Sequence, residues 1–445
     1  MHDTVSTTNG HTNGHTSGHP KNILHIVIIG GSLAGLASGV SLLRLGHKIT
    51  ILERNPTPLL QNQGAGIVAG GDTLSFFKQY DRCQRPFAVP SQKRMYLDRQ
   101  GEVVHEVAMK QAMTSWDLAY FVMRANFDGL ESGYCNVPKA EPGDGEATYQ
   151  YGCTFVKVDS AEGGVAVHFT DSSGSDQFLA ADLLIGADGP SSSVRRQFHP
   201  EVSRTTTGYC ALRGTIPEST ASPAALEVFR ERFAFFHCQG LQILAYLIPG
   251  PLGNVESGQR LVNFVWYYNF SASELEELMT DADGKRHRYT LPPGKMSKAV
   301  WARLTKVAEE KMPPQFAEIV SKTKQPFAQA ITDVISPTNS FLDGKVLLIG
   351  DALAGFRPHT VASTSQAAYD AMVLADFVAG KKTHEEFVRE TMQYGRLLQR
   401  RGVKMGTRSQ YGVDVPLEDH IKDRNLASTK REEEVYPDWT KVGLP

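Results

Sequence analysis

The chain predicts an α/β, Rossmann-like dinucleotide-binding domain interrupted by a second, α+β domain built on a large, mostly antiparallel sheet. Three observations carry this. Residues 22–54 read as strand, glycine-rich turn, helix and strand. Two later apolar strands, ending at Asp188 and at Asp351, again close on a glycine and an acid. Between them, residues 209–269 hold a run of aromatic-rich segments at strand spacing.

In the first unit, Leu24 to Gly30 (LHIVIIG) is apolar and β-branched, and Gly30-Gly31-Ser32-Leu33-Ala34-Gly35 turns it into a segment with Leu36, Val40 and Leu43 at helical spacing. A second strand, Lys48 to Leu52, ends on Glu53, eighteen residues after Gly35. That is where a first Rossmann unit places the carboxylate for an adenosine ribose. A pyrophosphate at such a turn lies against backbone N–H groups at a helix N-terminus, where free donors and the helix dipole favour anions. Gly30 permits the turn and Gly35 the close helix-to-strand packing. Ser32 stands where G-x-G-x-x-G has its middle glycine, and its hydroxyl can face a phosphate. Gly30, Ser32, Leu33, Ala34, Gly35, Glu53 and the adjoining Arg54 are the cofactor candidates here; the alternative is an ordinary buried βα turn.

At 445 residues the chain is long for one core and suggests two domains. Hydrophobic and charged fractions of 41% and 21% are those of a soluble protein, and a net charge of -2 with no basic tract gives no electrostatic reason to expect nucleic acid or an anionic membrane. Five scattered cysteines without C-x-x-C spacing indicate neither a disulfide framework nor a zinc site, so no metal and a reduced, cytoplasmic compartment are expected. No apolar run is long enough to span a membrane, and the N-terminus lacks the apolar core of a signal peptide.

In chain order, residues 1–21 are polar with His11, His15 and His19 at spacing four, and too poor in apolar groups to offset ordering entropy; a disordered tail is expected. Gln63-Gly64-Ala65-Gly66-Ile67 is a glycine-rich turn, with Gly66 a cofactor candidate, and Thr73 to Tyr80 a helix. Residues 94–109 form a hairpin about Arg99-Gln100-Gly101. A helix with Phe121, Arg124, Phe127 and Leu130 follows; Arg124 is either a surface salt bridge or a cofactor contact. Three short strands, 154–158, 165–170 and 177–179, make an antiparallel meander leading to Asp188-Gly189, with a capped helix from Ser191 to Arg196. Asp188 is a cofactor contact or a cap for that helix.

Strands 209–216, 233–238, 241–248 and 261–269 then form the large sheet, and residues 298–322 a helical stretch. The third apolar strand, Gly344 to Ala352, precedes Pro358-His359-Thr360 and a helix with Ala371, Leu374, Ala375 and Phe377. His384 to Leu398 is another helix, and Leu417 to Pro445 is charged and poorly periodic. The expected division is a tail, 1–21; a discontinuous cofactor domain, 22–85, 110–202 and 336–381; a substrate domain, 86–109 and 203–335; and a C-terminal helix with an extended tail, 382–445.

The order Gly30…Gly35, Asp188-Gly189, Gly350-Asp351 resembles the group A FAD-dependent aromatic monooxygenases, the p-hydroxybenzoate and salicylate hydroxylases. Within them the chain is similar to the 2,6-dihydroxypyridine hydroxylase-like branch. That similarity rests on Gly30-Gly31-Ser32-Leu33-Ala34-Gly35-Leu36, Leu212-Arg213-Gly214, Tyr246 to Gly250, Asn263 to Tyr267, and Gly350-Asp351-Ala352 followed by Arg357-Pro358-His359-Thr360. The resemblance covers roughly Ile23 to Phe377 and implies a glutathione reductase-type FAD domain. It implies FAD as cofactor, NADPH or NADH as co-substrate, and transfer of one oxygen atom from O2 through a flavin C4a-hydroperoxide to a small aromatic or heteroaromatic ring. By the same resemblance, Ser32 and Gly35 flank the pyrophosphate, Glu53 the ribose, Arg124 the adenosine side and Asp351 the ribityl hydroxyls, with Asp188 and Thr360 also on the cofactor. The family's G-x-G-x-N turn after the proline is Val361-Ala362-Ser363-Thr364-Ser365 here, with no glycine.

A phenol or hydroxypyridine is activated by losing a proton, so a base or hydrogen-bond relay is expected. Tyr246 and Gln242 share a strand face by their even spacing, and His237 and His359 complete the catalytic candidates; each also has a plain structural reading. Arg213 could pair with a substrate carboxylate or lie beneath the flavin ring, and Tyr246 and Pro358 could line the substrate. Oxidative decarboxylation, epoxidation and Baeyer-Villiger insertion use the same scaffold, and a non-catalytic flavin- or nucleotide-binding protein is the alternative from another class. A homodimer is left open.

Overall fold

A computed structural model describes residues 23–58, 65–413 and 415–429. The expectations for residues 1–21, for Gln63 and Gly64, and for 430–445 lie outside the described residues.

The first sheet has six strands in the order Ser340–Phe341, Val346–Leu348, Leu183–Gly186, His25–Ile29, Lys48–Glu53 and Glu146–Tyr151. All its pairings are parallel except the edge pair Ser340–Phe341 with Val346–Leu348. The central strand is buried on both faces, as parallel strands require. Ile26 and Ile28 pack with helices Leu33–Leu43 and Trp116–Asp128 and with Ala371 and Leu374 of helix Ser363–Val378. Val27 and Ile29 face the other way, onto Val158, Val165 and Val167 of a three-stranded antiparallel meander, Thr154–Ala161, Gly164–Thr170 and Asp176–Ala181. Register pairs Ile29 with Gly186, and Gly186 with Leu348. The three glycine-bearing turns therefore leave the sheet side by side at its C-terminal edge.

The second sheet runs Thr290–Leu291, Phe327–Ile335, Thr205–Pro217, Leu261–Asn269, Leu241–Ile248, Arg232–Cys238, Val89–Leu97, Val103–Ser115 and Gly66–Ala69, with Ala354–Gly355 paired off the path. Only Arg232–Cys238 with Val89–Leu97 is parallel. The sheet recruits Gly66–Ala69 and runs on to Ser115, so it takes in stretches that the sequence assigns to the expected cofactor domain instead of standing apart from them. Alternation sorts its two faces. Leu212, Ile243, Ala245, Phe264 and Trp266 meet Val300, Leu304, Phe316 and Ile319 of the covering helices. Leu244, Tyr246, Val265 and Tyr267 form the opposite face.

Three stretches differ from expectation. Residues 298–322 are two helices, Lys298–Lys311 and Pro314–Ser321, because Pro313 and Pro314 supply no N–H to continue the first. The helix from His384 runs to Tyr411, starting at a Thr383/Glu386 capping box. Its polar second half binds through Gly402 and Gly406, where a Cβ on Gly406 would meet the Tyr209 hydroxyl at 2.4 Å. Finally, Leu417–Thr429 is a helix, and one of its charges, Arg424, is buried with its guanidinium over the Phe235 ring.

Candidate active site

The turns at Gly30, Gly189 and Asp351 converge on one crevice of about 350 Å³ between the two sheets. One wall is lined by Ser32, Leu33, Ala34, Gly66, Asp351 and Pro358, with Trp116, Ser363 and Thr364 completing it. Arg213, Leu244, Tyr246, Val265 and Tyr267 form the sheet side.

The fit of a dinucleotide rests on the first turn. A Cβ on Gly35 would lie 1.9 Å from the Gly30 carbonyl oxygen, and one on Gly30, at φ 100°, 2.5 Å from the Ala187 carbonyl oxygen. Helix Leu33–Leu43 carries no acid in its first turn, and Ser32 at its N-cap spends no hydroxyl bond on the helix. The free N–H donors and the serine are thus left facing the crevice, ready for an anion. Gly31 is held by the second strand: its N–H donates to Glu53 Oε2 at 2.8 Å, and its carbonyl accepts from Tyr149 Oη at 3.0 Å. The other Glu53 oxygen takes the Asn55 N–H and side-chain amide, which fixes a buried carboxylate at the end of that strand. Arg54 is exposed.

Asp351 accepts from Ser363 Oγ at 2.9 Å. Burial raises its pKa, against the hydrogen bond and the nearby Arg204. Gly350 sits against the first helix, where a Cβ would meet Ala34 Cβ at 2.7 Å. Its N–H is held by Asp370 at 2.8 Å. Thr360 is buried with its hydroxyl unbonded among the described residues. Asp188 caps the following helix through the N–H groups of Ser193 and Val194. Its second oxygen is buried without a partner among the described residues, and burial raises its pKa.

Arg124 is buried, not on the surface, and lies outside the crevice lining. It grips Asp128 through Nε and Nη2 at 3.0 and 2.8 Å, donates to the hydroxyls of Tyr120 and Tyr151, and stacks 3.7 Å from the Tyr149 ring centre. One N–H of its five is left. Burial works against its charge, but the Asp128 carboxylate outweighs it and raises the pKa.

On the sheet side, Tyr246 is buried with its hydroxyl beside Gly66, whose N–H donates to Asn263 Oδ1 at 3.1 Å. Burial, only partly offset by Arg213, raises the Tyr246 pKa, so the phenol stays protonated at neutral pH. Arg213 Nε is buried and bonded to nothing among the described residues. Tyr267, its pKa pushed up to about 12 by burial, stacks on His359 with centroids 4.0 Å apart.

The other three catalytic candidates stand behind this wall. His359 bonds Gln242 Oε1 through Nδ1 and Tyr209 Oη through Nε2, each at 3.0 Å. Because the amide oxygen only accepts, Nδ1 carries the proton. Burial, reinforced by Arg424 and Arg357, holds the His359 pKa well below its usual value. Ser409 Oγ also donates to Gln242 Oε1, and His237 Nε2 bonds the Ser409 carbonyl oxygen at 2.8 Å. Gln242 does share the Tyr246 face, as its spacing predicts, yet it and both histidines fall outside the crevice lining. Tyr267 and Trp116 were not singled out from sequence. The alternation 263, 265, 267 on one strand would have found the tyrosine, whereas nothing local marks Trp116. Among the described residues there is no metal-binding cluster and no helix long and apolar enough to cross a membrane.

Residues 206–333 match a family described as FAD binding domain-like. The 2,6-dihydroxypyridine 3-monooxygenase of Paenarthrobacter nicotinovorans is 28% identical over 400 residues, covering 87% of this chain and 92% of that one. The salicylate hydroxylase of Pseudomonas putida is 25% identical over 381 residues, covering 79% and 76%. Among solved structures, 2,6-dihydroxypyridine-3-hydroxylase from Arthrobacter nicotinovorans superposes with a TM-score of 0.76 at 25% identity, covering 89% of this chain and 95% of that one. A salicylate hydroxylase substrate complex shares the fold at a TM-score of 0.66 and 16% identity, covering 92% and 95%.

Proposed function

We infer that this chain is a FAD-dependent monooxygenase of the aromatic hydroxylase type, inserting one oxygen atom from O2 into a small electron-rich aromatic or heteroaromatic ring at the expense of NADPH or NADH. The observation that carries the reading is the meeting of three turns, at Gly30, Gly189 and Asp351, in a crevice whose far wall is an aromatic sheet face. When bound, FAD supplies the redox chemistry, taking hydride from the nicotinamide and delivering activated oxygen.

The chain's own part is to hold, orient and exclude water. Ser32 and the N–H groups of Leu33 to Gly35 would hold the pyrophosphate, Glu53 the adenosine ribose and Asp351 the ribityl hydroxyls. Gly66, Pro358, Ser363 and Thr364 would flank the ring system. Arg213 would hold the substrate as its anion, the form that is electron-rich enough to be oxygenated. Tyr246, a neutral phenol, would donate to the same oxygen, because its raised pKa suits a donor better than a base. The buried chain Tyr209–His359–Gln242–Ser409 supports Tyr267 from behind and would keep the sheet wall fixed.

The test is purified protein loaded with FAD and offered phenols, hydroxypyridines and hydroxybenzoates. Ring-stimulated NAD(P)H oxidation with a product heavier by one oxygen is expected. Failure to take up FAD would end the proposal.

A further inference from the structure

The crevice has a larger neighbour. A cavity of about 730 Å³ adjoins it, with a wall that is mostly apolar, from Val68, Ala69, Met109, Ala112 and Leu398, and polar groups from Asp72, Ser365 and Arg401. Its outer rim of exposed residues includes Leu74, Gln92 and Lys110. The two spaces share Val68, Val361 and Ala362 as a common partition. The crevice itself, at about 350 Å³, is near the small end of ligand sites, which span roughly 300–1,000 Å³. Once a flavin ring and a substrate ring share it, little room is left for anything the substrate ring carries.

The partition has an unusual residue in it. Val361 adopts the left-handed conformation, φ 53° and ψ 25°, which a β-branched side chain rarely takes and a glycine takes freely. The bond that closes this turn, from the Val361 N–H to the Pro358 carbonyl at 3.0 Å, is one that a glycine would make equally well. What the valine adds is its isopropyl group, packed on the cluster that holds Val68, Tyr246 and Tyr267. The strained backbone therefore sets an apolar wedge at the one boundary the two spaces have in common.

We propose that the larger cavity is a second compartment of the substrate site, taking an apolar substituent carried by the ring, and that Val361 determines how wide a substituent passes. This rests on the oxygenase reading above. It names the substrate class more narrowly: an aromatic ring with an alkyl or similarly apolar side chain.

The experiment measures binding, not turnover. FAD-loaded protein is titrated with phenols bearing hydrogen, methyl, propyl and pentyl chains, and Kd is read from the change in flavin absorbance. Affinity should rise about fourfold per added methylene, the equivalent of ~0.8 kcal/mol for each buried CH2. Ala112→Trp, which fills the larger cavity from a position outside the crevice, should abolish that gain while leaving phenol itself bound as before; Met109→Trp serves the same purpose if that variant loses FAD. Val361→Phe should cut off the gain beyond methyl, and Val361→Gly should admit branched chains that the valine excludes. A Kd independent of chain length, or the same chain-length dependence in the filled variant, would overturn the second compartment while leaving the oxygenase reading in place. Failure of FAD uptake would remove both.

Discussion

At the scale of single residues, the site is set by which polar groups are already spent. Arg124 has one N–H left after Asp128 and two tyrosines, whereas Arg213 keeps a buried donor unbonded among the described residues. Arg213→Gln should therefore weaken binding of a phenolate or carboxylate substrate by roughly tenfold or more, the worth of one charge-assisted hydrogen bond. If flavin retention falls and ligand Kd does not, Arg213 serves the cofactor ring instead. Asp370 gives a pH prediction. Burial raises its pKa from 3.8 to about 8 in the fold, so the folded chain keeps a proton that the unfolded chain loses above about pH 4. Its contribution to stability falls as pH rises from about 4 to about 8 and is flat above. Urea midpoints measured across that range should fall, and Asp370→Asn should flatten the slope; an unchanged slope would refute the assignment.

At the scale of elements, the strands with a period were legible and the contacts between distant elements were not. The turn at Gly30, the strands ending at Asp188 and Asp351, and the face shared by Gln242 and Tyr246 follow from apolar runs and alternation, which are local. That Gln242 and His359 would end up behind the wall depends on helix His384–Tyr411, whose polar second half has no clear apolar stripe in sequence. That half touches its neighbours through glycine and through the polar groups of Thr407 and Ser409. Gly406→Ala would press a methyl group on the Tyr209 hydroxyl and the Arg357 side chain. It should destabilise the fold by about 1–3 kcal/mol, as overpacking does, seen as a lowered denaturation midpoint. Helix Leu417–Thr429 was missed for the same reason: one of its charges, Arg424, is directed inward, to the His359 carbonyl, against the usual sorting of polar residues to the surface.

At the scale of the whole molecule, the two sheets are interleaved, since one strand of the large sheet, Gly66–Ala69, comes in sequence between Lys48–Glu53 and Glu146–Tyr151 of the first sheet and lines the crevice with Arg213 and Tyr246. Length suggests two domains and the resemblance implies their chemistry, but neither points to this threading, because strand pairing between residues about 50 apart, such as Gly66 with Ser115, leaves no periodic trace. One consequence is that cofactor and fold should be thermodynamically linked. At a FAD concentration one hundred times its Kd, stability should gain about 2.7 kcal/mol, and a melting temperature that ignores added FAD would contradict the proposed site.

Because strand Val346–Leu348 is laid beside Leu183–Gly186 only after more than a hundred and fifty intervening residues, synthesis delivers the parts of the proposed nucleotide cradle far apart in time. At ribosomal rates of about 5–20 residues per second, the nascent protein spends many seconds with an unfinished cradle and a raw edge on its central sheet. Until that late strand emerges, the edge is a place where a chaperone can bind or a sister chain can mispair.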